Sequence, residues 1–138
     1  MSRTLALDYG TKRVGMALSD PTGSLASPLP FVPATPVAKL FGIIKVLIRE
    51  KEVGQILVGL PRNMDGTYGP SARAAEEFAR RLKDVVPIPI KMIDERLSTV
   101  EAGRRLREGG KKAAEQKGKI DSASAQIILQ SFLDSPLH

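Results

Sequence analysis

A short apolar run, Leu5-Ala6-Leu7, carries one carboxylate, Asp8, turns through Gly10-Thr11-Lys12 and returns as a second apolar run from Val14 to Leu18. This pattern reads as a β-hairpin with an acid near the inner end of a buried strand. An ionised carboxylate among apolar neighbours is costly unless something cationic meets it, and a metal ion would invert that cost. The same acid would also serve as a turn residue that hydrogen-bonds its own backbone. This stretch alone leaves both readings open, and the other acids of the chain have to decide between them.

Downstream of the hairpin, Thr22-Gly23 turns the chain into residues 24–31, where Pro28 and Pro30 suit an edge strand and not a central one. Thr35-Pro36 has the form of a helix start, with a capping hydroxyl and proline at the first helical position. Val37, Leu40, Phe41, Ile44, Leu47 and Ile48 follow at helical spacing, giving a helix over about 36–51. Gln55 to Gly59 is a short continuous apolar run, the signature of a strand buried on both faces. A polar loop, 62–70, leads to a second helix capped by Ser71, with Ala74, Ala75, Phe78, Ala79 and Leu82 on one face.

A fifth strand, 88–93, runs directly into Asp94-Glu95-Arg96. Ser98 and Glu101 have capping-box spacing and open a third helix that ends at Gly109-Gly110. The glycine- and lysine-rich stretch 109–119 lacks apolar periodicity and is expected to be a mobile loop. A last helix starts at Asp121 with Ala125, Ile128, Leu129 and Phe132 along a stripe. The expected fold is α/β: a mixed five-stranded sheet, three antiparallel strands and then two parallel, with helices on both faces. At 138 residues the chain, 1–138, fits one domain.

Composition narrows the chemistry. There is no cysteine and the only histidine is His138, which removes disulfides, Cys/His zinc sites, cysteine nucleophiles and Ser-His triads from consideration. Hydrolysis would have to rest on carboxylates, lysines or bound metal. No signal-peptide core and no stretch of about 20 apolar residues is present, so a cytoplasmic protein is expected. The net charge of +6 is concentrated: Arg96, Arg104, Arg105, Arg107, Lys111, Lys112, Lys117 and Lys119 face only Glu101, Glu108 and Glu115 in that segment. Such a segment is either a solvated surface or a polyanion-binding one. Holding nearly the whole net charge in one place favours nucleic acid, through phosphate contact and not base stacking, since aromatics are scarce.

In open α/β sheets, functional groups gather at the carboxyl ends of the parallel strands. Asp8, Glu95 and Asp121 are expected there. Each has a plain structural role available: a turn acid, an ion-pair partner of Arg96, and an N-cap carboxylate. Together they would repel one another unless protons or divalent cations relieve the crowding. Oxygen ligands without histidine suit Mg²⁺ or Mn²⁺, and two such ions about 4 Å apart assist phosphodiester cleavage.

Four ordered motifs carry a resemblance: Asp8-Tyr-Gly-Thr-Lys-Arg-Val-Gly, Val58-Gly-Leu-Pro-Arg-Asn-Met-Asp-Gly, Asp94-Glu-Arg-Leu-Ser-Thr-Val-Glu-Ala and Gly118-Lys-Ile-Asp-Ser-Ala-Ser-Ala. The chain closely resembles the bacterial YqgF/RuvX family over nearly its whole length. That family is described both as a Holliday junction resolvase and as a nuclease maturing the 5′ end of pre-16S rRNA. The resemblance implies an RNase H-like fold and an acidic triad of Asp8, Glu95 and Asp121. It also implies phosphate positioning by Lys12, Arg13, Arg62, Asn63 and Arg96, and a clamp formed by Lys111, Lys112 and Lys117.

A metal-dependent nuclease of ribosome biogenesis is therefore expected, acting on structured RNA as a monomer or weak homodimer. A resolvase of branched DNA is the alternative, and a non-catalytic nucleic-acid-binding module the third reading. Asp8-Tyr-Gly-Thr also looks like the first phosphate loop of the actin-like ATPases, but those enzymes close two such domains around ATP, and no Walker A sequence is present.

Overall fold

β1 (Arg3–Tyr9) has partners on both edges and helices on both faces, and the rest of the fold is built outward from it. The computed structural model describes residues 2–62, 65–96 and 113–135. β1 pairs antiparallel with β2 (Arg13–Ser19), with Leu7 opposite Met16 and Asp8 opposite Gly15. On its other side it pairs parallel with β4 (Val53–Arg62), with Leu7 opposite Val58. β3 (Ala26–Pro33) lies antiparallel to β2, and β5 (Ile90–Arg96) lies parallel to β4. The sheet order is β3-β2-β1-β4-β5, so the expected mixed sheet is observed. The proline-bearing strand is at its edge, where a missing N–H costs no ladder bond.

The two faces of β1 differ in bulk because side chains alternate along a strand. Leu5 and Leu7 join Val14, Met16, Ile56 and Val58 under α1 (Val37–Glu50) and α2 (Pro70–Lys83), where Leu40, Ile44, Phe78 and Leu82 complete a thick aliphatic layer. Ala6 joins Ala17, Ala26 and Leu57 on the other face, against Ala125, Ile128, Leu129 and Leu133 of α3 (Ala113–Asp134). Alanines on that face bring α3 close to the sheet backbone. Among the described residues no helix is long and apolar enough to cross a membrane.

Several helix ends differ from expectation. α1 begins at Val37 with Pro36 in the N-cap position, and no side chain among the described residues caps it, Thr35 included. α2 begins at Pro70 with Gly69 as N-cap, so Ser71 lies inside the first turn. Proline at the first position supplies a preset φ there in place of a capping hydroxyl. α3 begins at Ala113 and not at Asp121. Residues 113–119 are thus helical where a loop is expected, and Asp121 sits in the helix interior and is not its cap. Ala113, Ala114, Glu115, Gln116, Lys117 and Lys119 are strong helix formers that offset the cost of Gly118, about 1 kcal/mol. The expected helix over 98–109 and the first part of the expected loop lie outside the described residues.

The β2–β3 turn is organised by Asp20. Its carboxylate accepts the Thr22 hydroxyl at 2.6 Å and the backbone N–H groups of Ser24 and Leu25 at 2.8 and 3.1 Å. The Thr22 bond first, and then those of Leu25 and Ser24, hold the Asp20 carboxyl down from 3.8 to about 2. A carboxyl depressed in the folded state adds stability that is complete above its unfolded pKa and is lost as pH falls through the folded one. Unfolding by urea at stepped pH should therefore show stability falling between about pH 4 and pH 2. Asp20→Asn should flatten part of that fall; equal slopes for variant and wild type would contradict the role of this turn.

Candidate functional site

β1, β4 and β5 run in one direction, so their carboxyl ends share one edge of the sheet, the edge at which open α/β sheets collect functional groups. Asp8 is the penultimate residue of β1. Alternation gives it the α3 side of the sheet with Ala6, while Leu7 and Tyr9 take the other side. The ring of Tyr9 stacks on Phe78 of α2 with centroids 4.5 Å apart, and this anchors the strand end immediately after Asp8.

Glycines flank Asp8 across the sheet. Gly15 is its partner on β2, and continuing the β1–β4 register one step past Leu7–Val58 brings Gly59 beside it. Both are buried. Without side chains, they leave bare backbone on either side of the carboxylate, where another group can approach closely.

Position 95 lies opposite Pro61 in the β4–β5 register, two residues beyond Ile93, which packs against the α3 cluster. By alternation, positions 93 and 95 share that face. Gln126 and Gln130 of α3 hydrogen-bond Ala26 at the amino end of β3, and β3 runs in the same direction as β1. The helix therefore runs from the carboxyl edge of the sheet towards its amino edge. Position 121, one turn before Ala125 on the same stripe, falls on the carboxyl-edge side. The backbone thus gives positions 8, 95 and 121 one face and one edge.

The basic candidates fall around this edge. Lys12 is exposed in the β1–β2 turn, and its carbonyl accepts the N–H of Ala34 at 3.0 Å. The turn requires glycine at position 10, where a Cβ would lie 2.7 Å from the carbonyl oxygen of Arg13. Arg13 opens β2 half-buried, its guanidinium 5.0 Å over the ring of Phe31, so a cation–π contact holds it beside the turn. Arg62 and Arg96 are register partners at the last positions of β4 and β5. Lys117 lies on α3. Asn63, Lys111 and Lys112 lie outside the described residues. Among the described side chains, which do not include those of Glu95 and Asp121, no group of three or more Asp, Glu, His or Cys converges on a metal-sized space.

Two further residues lie next to this edge. The Tyr68 hydroxyl donates to the Asp94 carboxylate at 2.7 Å, tying the loop after β4 to the end of β5. Within that loop Asp65 accepts the hydroxyl and N–H of Thr67 at 2.6 and 3.0 Å, and these bonds, the hydroxyl first, lower its pKa. Local pattern signals the Asp65 turn but not the Tyr68 bond, whose partners are 26 residues apart.

Residues 2–135 match a family model described as "RuvX: Holliday junction resolvase". A relative from Roseiflexus sp. (strain RS-1), named "Putative pre-16S rRNA nuclease", is 44% identical over 133 residues, covering 96% of this chain and 94% of its own. Two solved structures share the architecture. One is T. thermophilus RuvC in complex with Holliday junction substrate, at 13% identity and TM-score 0.51 over 96% of this chain and 94% of that one. The other is the Fowlpox virus resolvase complex with Holliday junction DNA, at 10% identity and TM-score 0.52 over 99% of both chains. At these identities the likeness is one of fold, the RNase H-like sheet.

Tyr68→Phe should leave global stability within about 1 kcal/mol of wild type, since one exposed hydrogen bond is lost, while amide exchange across residues 65–69 speeds up. Unchanged exchange in that segment would show that the Asp94 bond does not hold the loop.

Proposed function

The chain belongs to the RuvX family and is a nuclease, and from that premise we propose that it is a metal-dependent one in which Asp8, Glu95 and Asp121 hold the divalent cations. The observation that carries this reading is the placement of Asp8: a carboxylate at the end of the central strand, flanked by two glycines, on the face shared with positions 95 and 121. Close approach of three carboxylates is unfavourable without a counter-charge. The donor set fits Mg²⁺ or Mn²⁺, because it offers hard carboxylate oxygens in a chain with no cysteine and a single histidine at position 138. When bound, such ions activate water and stabilise the leaving oxygen in phosphodiester hydrolysis.

The protein's own groups do the rest. The glycine-lined floor beside Asp8 admits the scissile phosphate. Lys12 and Arg13 at one end of the edge, with Arg62 and Arg96 at the other, neutralise the flanking phosphates. Asn63 and Lys111, Lys112 and Lys117 extend that path along the strand of nucleic acid. The salt dependence of binding follows from these contacts.

The substrate we favour is precursor 16S rRNA, the assignment carried by the name of the close relative, and within it the 5′ end. Trimming one RNA end requires one active site, which suits a single RNase H-like domain acting in the cytoplasm as a monomer or weak dimer. The family description favours a second reading, resolution of four-way DNA junctions, which requires paired cuts and hence a two-fold dimer.

Side-by-side cleavage of precursor rRNA and a synthetic four-way junction, with Mg²⁺ or Mn²⁺, tests both. The precursor should be cut. Asp8→Asn, Glu95→Gln and Asp121→Asn should each lower the rate about 10³-fold, about 4 kcal/mol in the barrier, with circular dichroism unchanged. Paired symmetric nicks in the junction without rRNA cleavage would favour the second reading, and an Asp8→Asn protein as active as wild type would reject the metal site.

A further inference from the structure

The sheet side of the seam under α3 is built largely from small residues, Ala6, Ala17 and Ala26, with Leu57, and the helix brings Ala125, Ile128, Leu129 and Leu133 to it. Apolar burial of this kind is not directional. Hydrogen bonds are directional and weaken steeply when misaligned. Two glutamines supply them. Gln130 accepts the N–H of Ala26 through Oε1 at 2.9 Å and donates through Nε2 to the Ser24 carbonyl at 3.0 Å. Gln126 donates through Nε2 to the Ala26 carbonyl at 3.1 Å.

Both backbone groups of one edge-strand residue are therefore held by side chains one helical turn apart. The Asp134 carboxylate accepts from Gln130 Nε2 at 3.0 Å and steadies the amide. A one-residue slip of a helix moves it about 1.5 Å and turns it about 100°, which would break all three bonds to Ala26 and Ser24.

We propose that Gln126 and Gln130 are positioning residues that fix the axial and rotational setting of α3 on the sheet, and through it the approach of Asp121 to Asp8. This rests on the reading of Asp121 as a cation-holding acid. Position 121 is five and nine residues upstream of the two glutamines, about 7.5 and 13.5 Å along the helix axis. Both amides are engaged at Ala26 and Ser24, so the clamp acts through the helix and not as a ligand.

The test measures Mn²⁺ binding to the free protein by electron paramagnetic resonance, beside cleavage kinetics. In the Gln126→Ala/Gln130→Ala protein, Mn²⁺ affinity should fall about tenfold, the low end for loss of residues that orient a ligand. The KM for nucleic acid should be unchanged. Leu133→Ala, which removes a buried side chain from the same seam, should lower the melting temperature at least as much yet leave Mn²⁺ affinity within about twofold.

If the double variant does not fold, the single variants Gln126→Ala and Gln130→Ala should each weaken Mn²⁺ binding. Wild-type affinity in the glutamine variants, or an equal loss in Leu133→Ala, overturns the proposal. Asp121→Asn separates the two levels. If it binds Mn²⁺ like wild type, the metal reading itself fails; if it loses Mn²⁺ while the glutamine variants keep it, only the clamp fails.

Discussion

The structure depends on one constraint: β1 must be covered on both faces and paired on both edges while it carries a carboxylate one residue from its end. A strand can meet both demands because its side chains alternate. Leu5, Leu7 and Tyr9 take the α1–α2 side, and Tyr9 fastens the strand end by stacking on Phe78. Ala6 and Asp8 take the α3 side, where glycine neighbours on both adjacent strands keep the surface low. A one-residue change of register would turn Asp8 into the aliphatic layer, where an unpaired charge is strongly disfavoured. The register of the hairpin is thus tied to the chemistry of its acid.

The α3 face is the thinner of the two: alanines and glycines on the sheet side meet Ala125, Ile128, Leu129 and Leu133, and Gln126 and Gln130 bond Ala26 at its far edge. The thick face has the opposite character. Leu40, Ile44, Phe78 and Leu82 are buried in a single apolar layer, and that side carries much of the stability. The strand ends and turns at the carboxyl edge are places where polar groups reach solvent.

Much of this was legible in the chain because period and punctuation were strong. The central strands read as apolar runs, β3 as a proline-bearing edge, and α1 and α2 as helical stripes. Asp8 was legible as an acid out of place in such a run. The start of α3 was not, because 113–119 has helix-forming residues but no apolar face, and propensity without periodicity is a weak signal. The starts of α1 and α2 differ from the capping pattern for a related reason: Thr35 and Ser71 are good capping residues, but proline next to each fixes where the first turn begins. Contacts between distant segments, such as Tyr68 with Asp94 or Gln126 with Ala26, leave no local trace at all.

The central claim is that the acid of β1 shares bound cations with the acids of β5 and α3. Anomalous diffraction from crystals soaked in Mn²⁺ tests it most directly. The account predicts a peak at ligand distance from a carboxylate oxygen of Asp8, with Glu95 or Asp121 completing its ligands. Peaks confined to Asp65, Asp94 or other acids, with Asp8 left without metal at saturating Mn²⁺, would contradict it.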